Sequence, residues 1–283
     1  LFAPAGQEYV LISTADTEGR VLSMAVGLAA APPQYIVTGL EDRVAVFGIR
    51  ERVLARLFET EPEPGALFVD LAVADIDGDG REEVIAASEG NQAIYMYRLA
   101  EDTAGGVGLE FLALRLLPGH AQKIAVLERG GGNLPLIAAA YKNNSASGII
   151  TLIFTERGFA EGPAEPNLPV PVTSLAAGEL REPAGEELAW GGGDGSVRIV
   201  EVGDQLVNVL TSDNLGSNVP ALTAGMIAGE NRETLIAGTP EGFLFGFAAP
   251  VADSSPDWAV RTGRPVNDIA LSSEGLLGLG TSD

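Results

Sequence analysis

The sequence has no cysteine, one histidine, and lysine only at positions 123 and 142. Without cysteine there is no disulfide framework, no thiolate metal site and no cysteine nucleophile. With His120 alone, any Ser-His-Asp or Cys-His arrangement would rest on one side chain. Its setting, Leu-Leu-Pro-Gly-His-Ala, reads as a turn between strands, where a locally hydrogen-bonded loop histidine is the simpler expectation. Gly-x-Ser-x-Gly, P-loop and His-Glu-x-x-His patterns are absent. No run of 18 apolar residues exists, so no transmembrane helix is expected. Basic residues are scarce, 17 against 39 acidic ones, and the net charge is -22. Such a charge repels phosphate backbones and anionic lipid, which argues against nucleic acid and membrane insertion. It favours divalent cations and basic partners.

What the chain does have is a core and a repeat. Its 283 residues are 46% hydrophobic, and 36 Gly with 17 Pro signal many turns. A pattern of apolar strand, polar turn, apolar strand ending in small residues, turn and third strand recurs. Its aligned second strands begin at Ile36, Val84, Leu136, Leu188, Leu235 and Leu277. A period of about 40–50 residues with several strands per unit marks a β-propeller blade. Strands A to D of each blade follow, with D the vaguest, above all after Arg157. The sixth copy stops after strands A and B, while Phe2-Ala-Pro-Ala reads as the end of a strand C and Glu8–Thr14 as a strand D. The expectation is therefore an all-β, six-bladed propeller of four-stranded antiparallel blades, the last closed by strands from both termini. It forms one domain over 1–283. The Pro- and Glu-rich stretches 59–65, 161–169 and 249–256 read as loops inside the repeat. The chain starts Leu1-Phe2, with neither Met nor a signal peptide, which suggests a portion of a longer polypeptide.

The second copy carries the one chemical motif of note, Asp75-Ile-Asp77-Gly-Asp79-Gly80-Arg81-Glu-Glu83. Alternate carboxylates in a Gly-containing turn point their oxygens into one small space, which suits a hard cation taking 6–8 oxygen ligands. Numbered as a calcium loop, Asp75, Asp77 and Asp79 take places 1, 3 and 5. Gly80 turns the chain at place 6, Arg81 offers its main-chain carbonyl at 7, and Glu83 stands at 9. Place 12, Ala86, is not the acid of an EF-hand, and the flanks read as strands, so the loop is a calcium loop between β-strands. An acidic turn without metal is the alternative in so acidic a chain.

This motif, in a repeat ending Val-Ile-Ala-Ala-Ser-Glu-Gly, resembles the FG-GAP/VCBS repeat of integrin α-subunit propellers and many bacterial surface proteins. The resemblance implies that Asp75, Asp77, Asp79, Glu83 and the carbonyl of Arg81 hold Ca2+. The other copies depart from it. In the fourth, Glu179 and Glu187 match Asp75 and Glu83, but Arg181 and Pro183 replace the middle acids, and Arg181 could fill a cation's place with its own charge. Gly27, Leu127 and Met226 stand where Asp75 does in the first, third and fifth copies. One metal is expected.

Weaker signals stay weak. Gly191-Gly-Gly-Asp-Gly195 runs from strand to strand and reads as a hairpin, not a phosphate loop. Aromatics are 6%, with only Trp190 (core) and Trp258 (outer strand), too few for the platforms of sugar-processing propellers. Asn143-Asn144-Ser145 fits a glycosylation acceptor pattern. The expected function is a non-enzymatic, calcium-stabilised module, extracellular or on a bacterial cell surface, that binds a protein or glycan. A polysaccharide-active enzyme and an assembly component are the alternatives.

Overall fold

The computed structural model describes residues 2–5, 8–27, 35–101, 107–144, 146–182, 185–272 and 274–281, and among these every regular element is a β-strand. Ser145 and Pro183 lie outside the described residues. Strands β1 (Phe2–Ala5) and β2 (Glu8–Leu11) form a hairpin. The first four-stranded sheet is β3 (Ser23–Val26), β4 (Tyr35–Gly39), β5 (Val44–Arg50) and β6 (Val53–Glu59). The second is β7 (Phe68–Ala74), β8 (Glu83–Ser88), β9 (Ala93–Glu101) and β10 (Val107–Leu116). The third is β11 (His120–Leu127), β12 (Leu136–Lys142), β13 (Ser147–Thr155) and β14 (Gly158–Leu168). The fourth is β15 (Val172–Gly178), β16 (Glu187–Gly192), β17 (Val197–Val202) and β18 (Leu206–Thr211). The fifth is β19 (Ala221–Met226), β20 (Glu233–Thr239), β21 (Phe243–Ala248) and β22 (Trp258–Arg261). A last hairpin joins β23 (Val266–Leu271) to β24 (Leu277–Thr281). Among the described residues the strand pairings are antiparallel and follow chain order.

Among the described residues there are five four-stranded blades, not the six expected. The expected sixth needs β24 to pair with β1, and the two hairpins are instead separate two-stranded sheets. A third strand is paired on both sides, and β1 is only four residues long with Pro4, which has no N–H, inside it. Its intended neighbour, Leu-Gly-Leu-Gly-Thr, is largely exposed and gives little side chain to pack. The last hairpin is still an A–B pair. Its bulge at Val266/Asp268 repeats those at Phe68/Asp70 and Val172/Ser174.

The chain forms two compact units, Leu1–Ala121 with Glu156–Phe159, and Gln122–Thr155 with Ala160–Asp283. In the second to fifth blades the second strand is the most deeply buried. Strands β8 and β16 are buried at every position, and β12 and β20 at all but one. Both faces of such a strand pack against neighbouring sheets, so it reads as a continuous apolar run, not an alternating one. In the first unit Val37 and Val44 pack with Phe68, Leu71, Val84, Ala86 and Tyr95. In the second, Leu136, Ala138 and Ile149 pack with Leu175, Leu188 and Trp190.

The small residues ending these strands have a steric cause. A Cβ on Gly39 would lie 2.5 Å from the carbonyl oxygen of Phe68, and one on Gly191 would lie 2.5 Å from that of Val219. Each is the first strand of the next blade, or the residue leading into it. The same carbonyls accept hydrogen bonds from Ser23 Oγ (2.8 Å) and Ser174 Oγ (2.7 Å). Thr173 Oγ1 also donates to the Val219 carbonyl (2.7 Å), so blade joins blade through side-chain hydroxyls and a bare backbone.

Two sequence expectations are corrected here. Residues 161–168 are strand, not loop: they complete β14, and Pro163 and Pro166 are tolerated because the outermost strand needs no N–H on its free side. His120 opens β11 and is not a turn residue. Gly191–Gly195 is the hairpin expected, with Gly195 at φ 79°.

Candidate functional site

The acidic motif lies between β7 and β8 of the first unit. Asp75 accepts the N–H of Gly78 on Oδ1 (2.8 Å) and of Gly80 on Oδ2 (2.9 Å). Asp77 accepts from Asp79 N–H (3.1 Å), and Asp79 from Arg81 N–H (2.9 Å). Gly78 and Gly80 take φ of 74° and 84°, the left-handed conformation that lets the chain curl round these carboxylates. Ile76, fully buried, pins the loop, and its N–H donates to Glu83 Oε2 (3.1 Å).

Carboxylate oxygens of Asp75, Asp77 and Glu83 lie within 4.8 Å of one another. That spacing and donor type fit a hard divalent cation with oxygen ligands at 2.3–2.6 Å. Asp79 is exposed and falls outside this group of three, and Arg81 is exposed.

The sequence reading missed Arg98. It sits on β9 directly across from Glu83. Its Nε donates to Glu83 Oε1 (3.1 Å), and its Nη2 pairs with Asp77 and approaches Asp79 Oδ2 (3.5 Å). Glu83 is 0% exposed. Burial pushes its carboxyl above the ordinary glutamate value, against the opposing pull of the Ile76 N–H and Arg98. The only signal in the sequence was positional, a cross-strand partner fifteen residues on, visible once the hairpin register is known.

The second unit carries a different acidic feature. A cleft of about 660 Å3 is lined by Glu182, Glu186, Glu187, Glu201 and Asp204. Glu186 Oε2 accepts the N–H of Glu128, and Glu233 Oε2 accepts that of Glu179 (2.8 Å), so turns of three successive blades are tied by carboxylates. Burial, with Glu128, Glu233 and Glu179 nearby, pushes the Glu186 carboxyl up to about 7 despite the Glu128 N–H. Glu187, buried like Glu83, accepts from Leu180 N–H (2.9 Å) and Arg181 N–H (3.0 Å).

Three other side chains singled out in the sequence have defined surroundings. His120 is exposed with Nδ1 3.0 Å from the Glu89 carbonyl oxygen. Trp190 is buried under the Arg198 guanidinium, 4.6 Å from the ring centre, and Arg198 is held by Asp194 (2.7 Å). Trp258 is half-buried on β22.

Solved structures share this arrangement of blades. Sqt1 from Chaetomium thermophilum matches with a TM-score of 0.64 and 14% identity, over 93% of this chain and 67% of that one. The fold is a β-propeller. BBS1N, solved in complex with ARL6DN, is similar with a TM-score of 0.61 and 11% identity, over 87% of this propeller and 71% of that chain. A chain of the mitotic checkpoint complex gives 0.61 and 14%, over 93% and 76%. No family model matches the sequence, and no curated protein sequence matches it. The likeness to FG-GAP/VCBS repeats thus rests on the residues of the second blade.

Proposed function

We propose that this propeller is a non-enzymatic interaction module that docks a basic segment of a protein partner. The observation that carries the reading is the open cleft of the second unit, where five carboxylates line one cavity and Glu186 is held with three more acids facing it. Cationic side chains would relieve that repulsion. Two of the similar propellers were solved in protein complexes. The experiment is binding of an array of Lys/Arg-rich peptides to the chain. Hits should weaken at least tenfold in Glu182→Lys and Glu201→Lys. Equal binding of acidic control peptides would overturn the reading.

We also propose that the loop of the first unit takes Ca2+ on Asp75, Asp77 and Glu83, with Asp79 and the Arg81 carbonyl completing the shell. The fit of donor type and spacing supports this, as does the likeness to FG-GAP/VCBS loops. Loops of modest affinity fill where free calcium is high, which favours an extracellular or cell-surface setting. A cation at 100 times its dissociation constant adds about 2.7 kcal/mol. The expected result is a higher melting temperature in millimolar calcium than in EDTA, abolished in Asp75→Asn/Asp77→Asn. An unchanged melt with no bound calcium by titration would overturn it.

A further inference from the structure

We infer that Arg98 is the built-in counter-cation of the 75–83 loop, holding its carboxylates together and keeping the turn folded without metal. The inference goes beyond the calcium reading and does not depend on it. Three observations converge. Arg98 reaches three of the loop's five carboxylates at once, through Asp77, Asp79 and Glu83. One of them, Glu83, has no exposure to water, and a buried carboxylate needs a compensating charge close by. The third observation is the protein's own repeat. The fourth blade also begins its second strand with a buried acid, Glu187, which accepts the backbone N–H groups of Leu180 and Arg181, while the Arg181 guanidinium stands 3.9 Å from Glu201. The first blade has Tyr35 opposite Gly48 at this position, and the fifth has Thr234 opposite Ala248. Neither has the acid, and neither has an arginine across from it. The facing arginine thus occurs with the buried glutamate in the second blade and is missing, together with the acid, from the first and fifth.

A planar guanidinium suits the task, since it presents several N–H donors in a fixed fork and stays charged. It spans carboxylates from two parts of the loop, the turn and the root of β8. A calcium ion in the same cluster would share Asp77 and Glu83 with it. Arg98 therefore lowers the loop's need for metal and weakens metal binding together.

The test is hydrogen exchange at the amides of Ile76, Gly78, Gly80 and Arg81, all bonded to loop carboxylates, in metal-free buffer. In Arg98→Met these amides should exchange at least tenfold faster than in the wild type. Arg98→Met combined with Glu83→Gln should recover most of the protection, because no buried charge is then left without a partner. Wild-type exchange in the single variant overturns the proposal. If the single variant fails to fold, a folded double variant supports the proposal, and failure of both overturns it. Added calcium should protect the Arg98→Met loop at a concentration at least tenfold lower than the wild type requires. Absence of any calcium effect in either protein sinks the calcium reading, while the metal-free exchange still decides the role of Arg98.

Discussion

Glu186 gives the clearest single-residue prediction. Its carboxyl has an ordinary value of 4.5 and stands at about 7 in the folded chain, raised first by burial and then by Glu128, Glu233 and Glu179. The folded state therefore holds a proton that the unfolded state releases between about pH 4.5 and 7. Stability from this group is present below that window and is lost as pH rises through 7, by about 3 kcal/mol at most. The melting temperature should fall between pH 5 and 8, and Glu186→Gln should flatten the fall. A wild type with no slope in this range would contradict the prediction. Asp194 behaves oppositely: the Arg198 hydrogen bond holds it well below the carboxylate range, so its contribution persists down to strongly acid pH. The acidic motif was visible in the sequence at this scale because Asp at alternate positions with two glycines has a local geometric meaning. Asp75, Asp77 and Glu83 do converge. Arg98 was not visible because its role depends on the register between β8 and β9, and nothing local sets that.

Among elements, the second strand of each blade decides most. Gly191→Ala puts a methyl 2.5 Å from the Val219 carbonyl oxygen, with Ser174 Oγ nearer still. Such overpacking costs about 1–3 kcal/mol, read as a lower urea midpoint. Gly203→Ala, with nothing within 4 Å of the new carbon, is the control and should leave the midpoint unchanged. Trp190→Ala should cost about 3–5 kcal/mol, since it empties a large buried site and removes the platform under Arg198. These strands were readable from sequence because an apolar run ending in small residues survives in every copy. The outer strands were not. In β14 the prolines and glutamates gave a loop-like composition, and only the single ladder to β13 makes them a strand. The bulges at Val46/Phe47, Phe111/Ala113 and Ile199/Val200, between third and fourth strands, left no mark in the residues either.

For the molecule as a whole, the charge of -22 sets how it meets a partner. Association with a basic segment should slow steeply as salt rises from about 50 to 300 mM, with dissociation far less affected. Stopped-flow association rates check this, and a salt-independent rate would point to an apolar contact instead. The blade repeat was legible at this scale, because six aligned strand starts recur at nearly even spacing. The count was not, since repeat phase records where a hairpin begins and not whether its edge finds a mate.

The bare backbone at Gly39 and Gly191 also bears on how such a sequence can change over time. One added carbon there meets the backbone of the next blade, while Gly203, after the third strand of the fourth blade, has open space around it. Propellers with as little as 11% identity can then keep the same frame. What such a frame demands of a sequence is the absence of a side chain at a few close approaches, and little more than that.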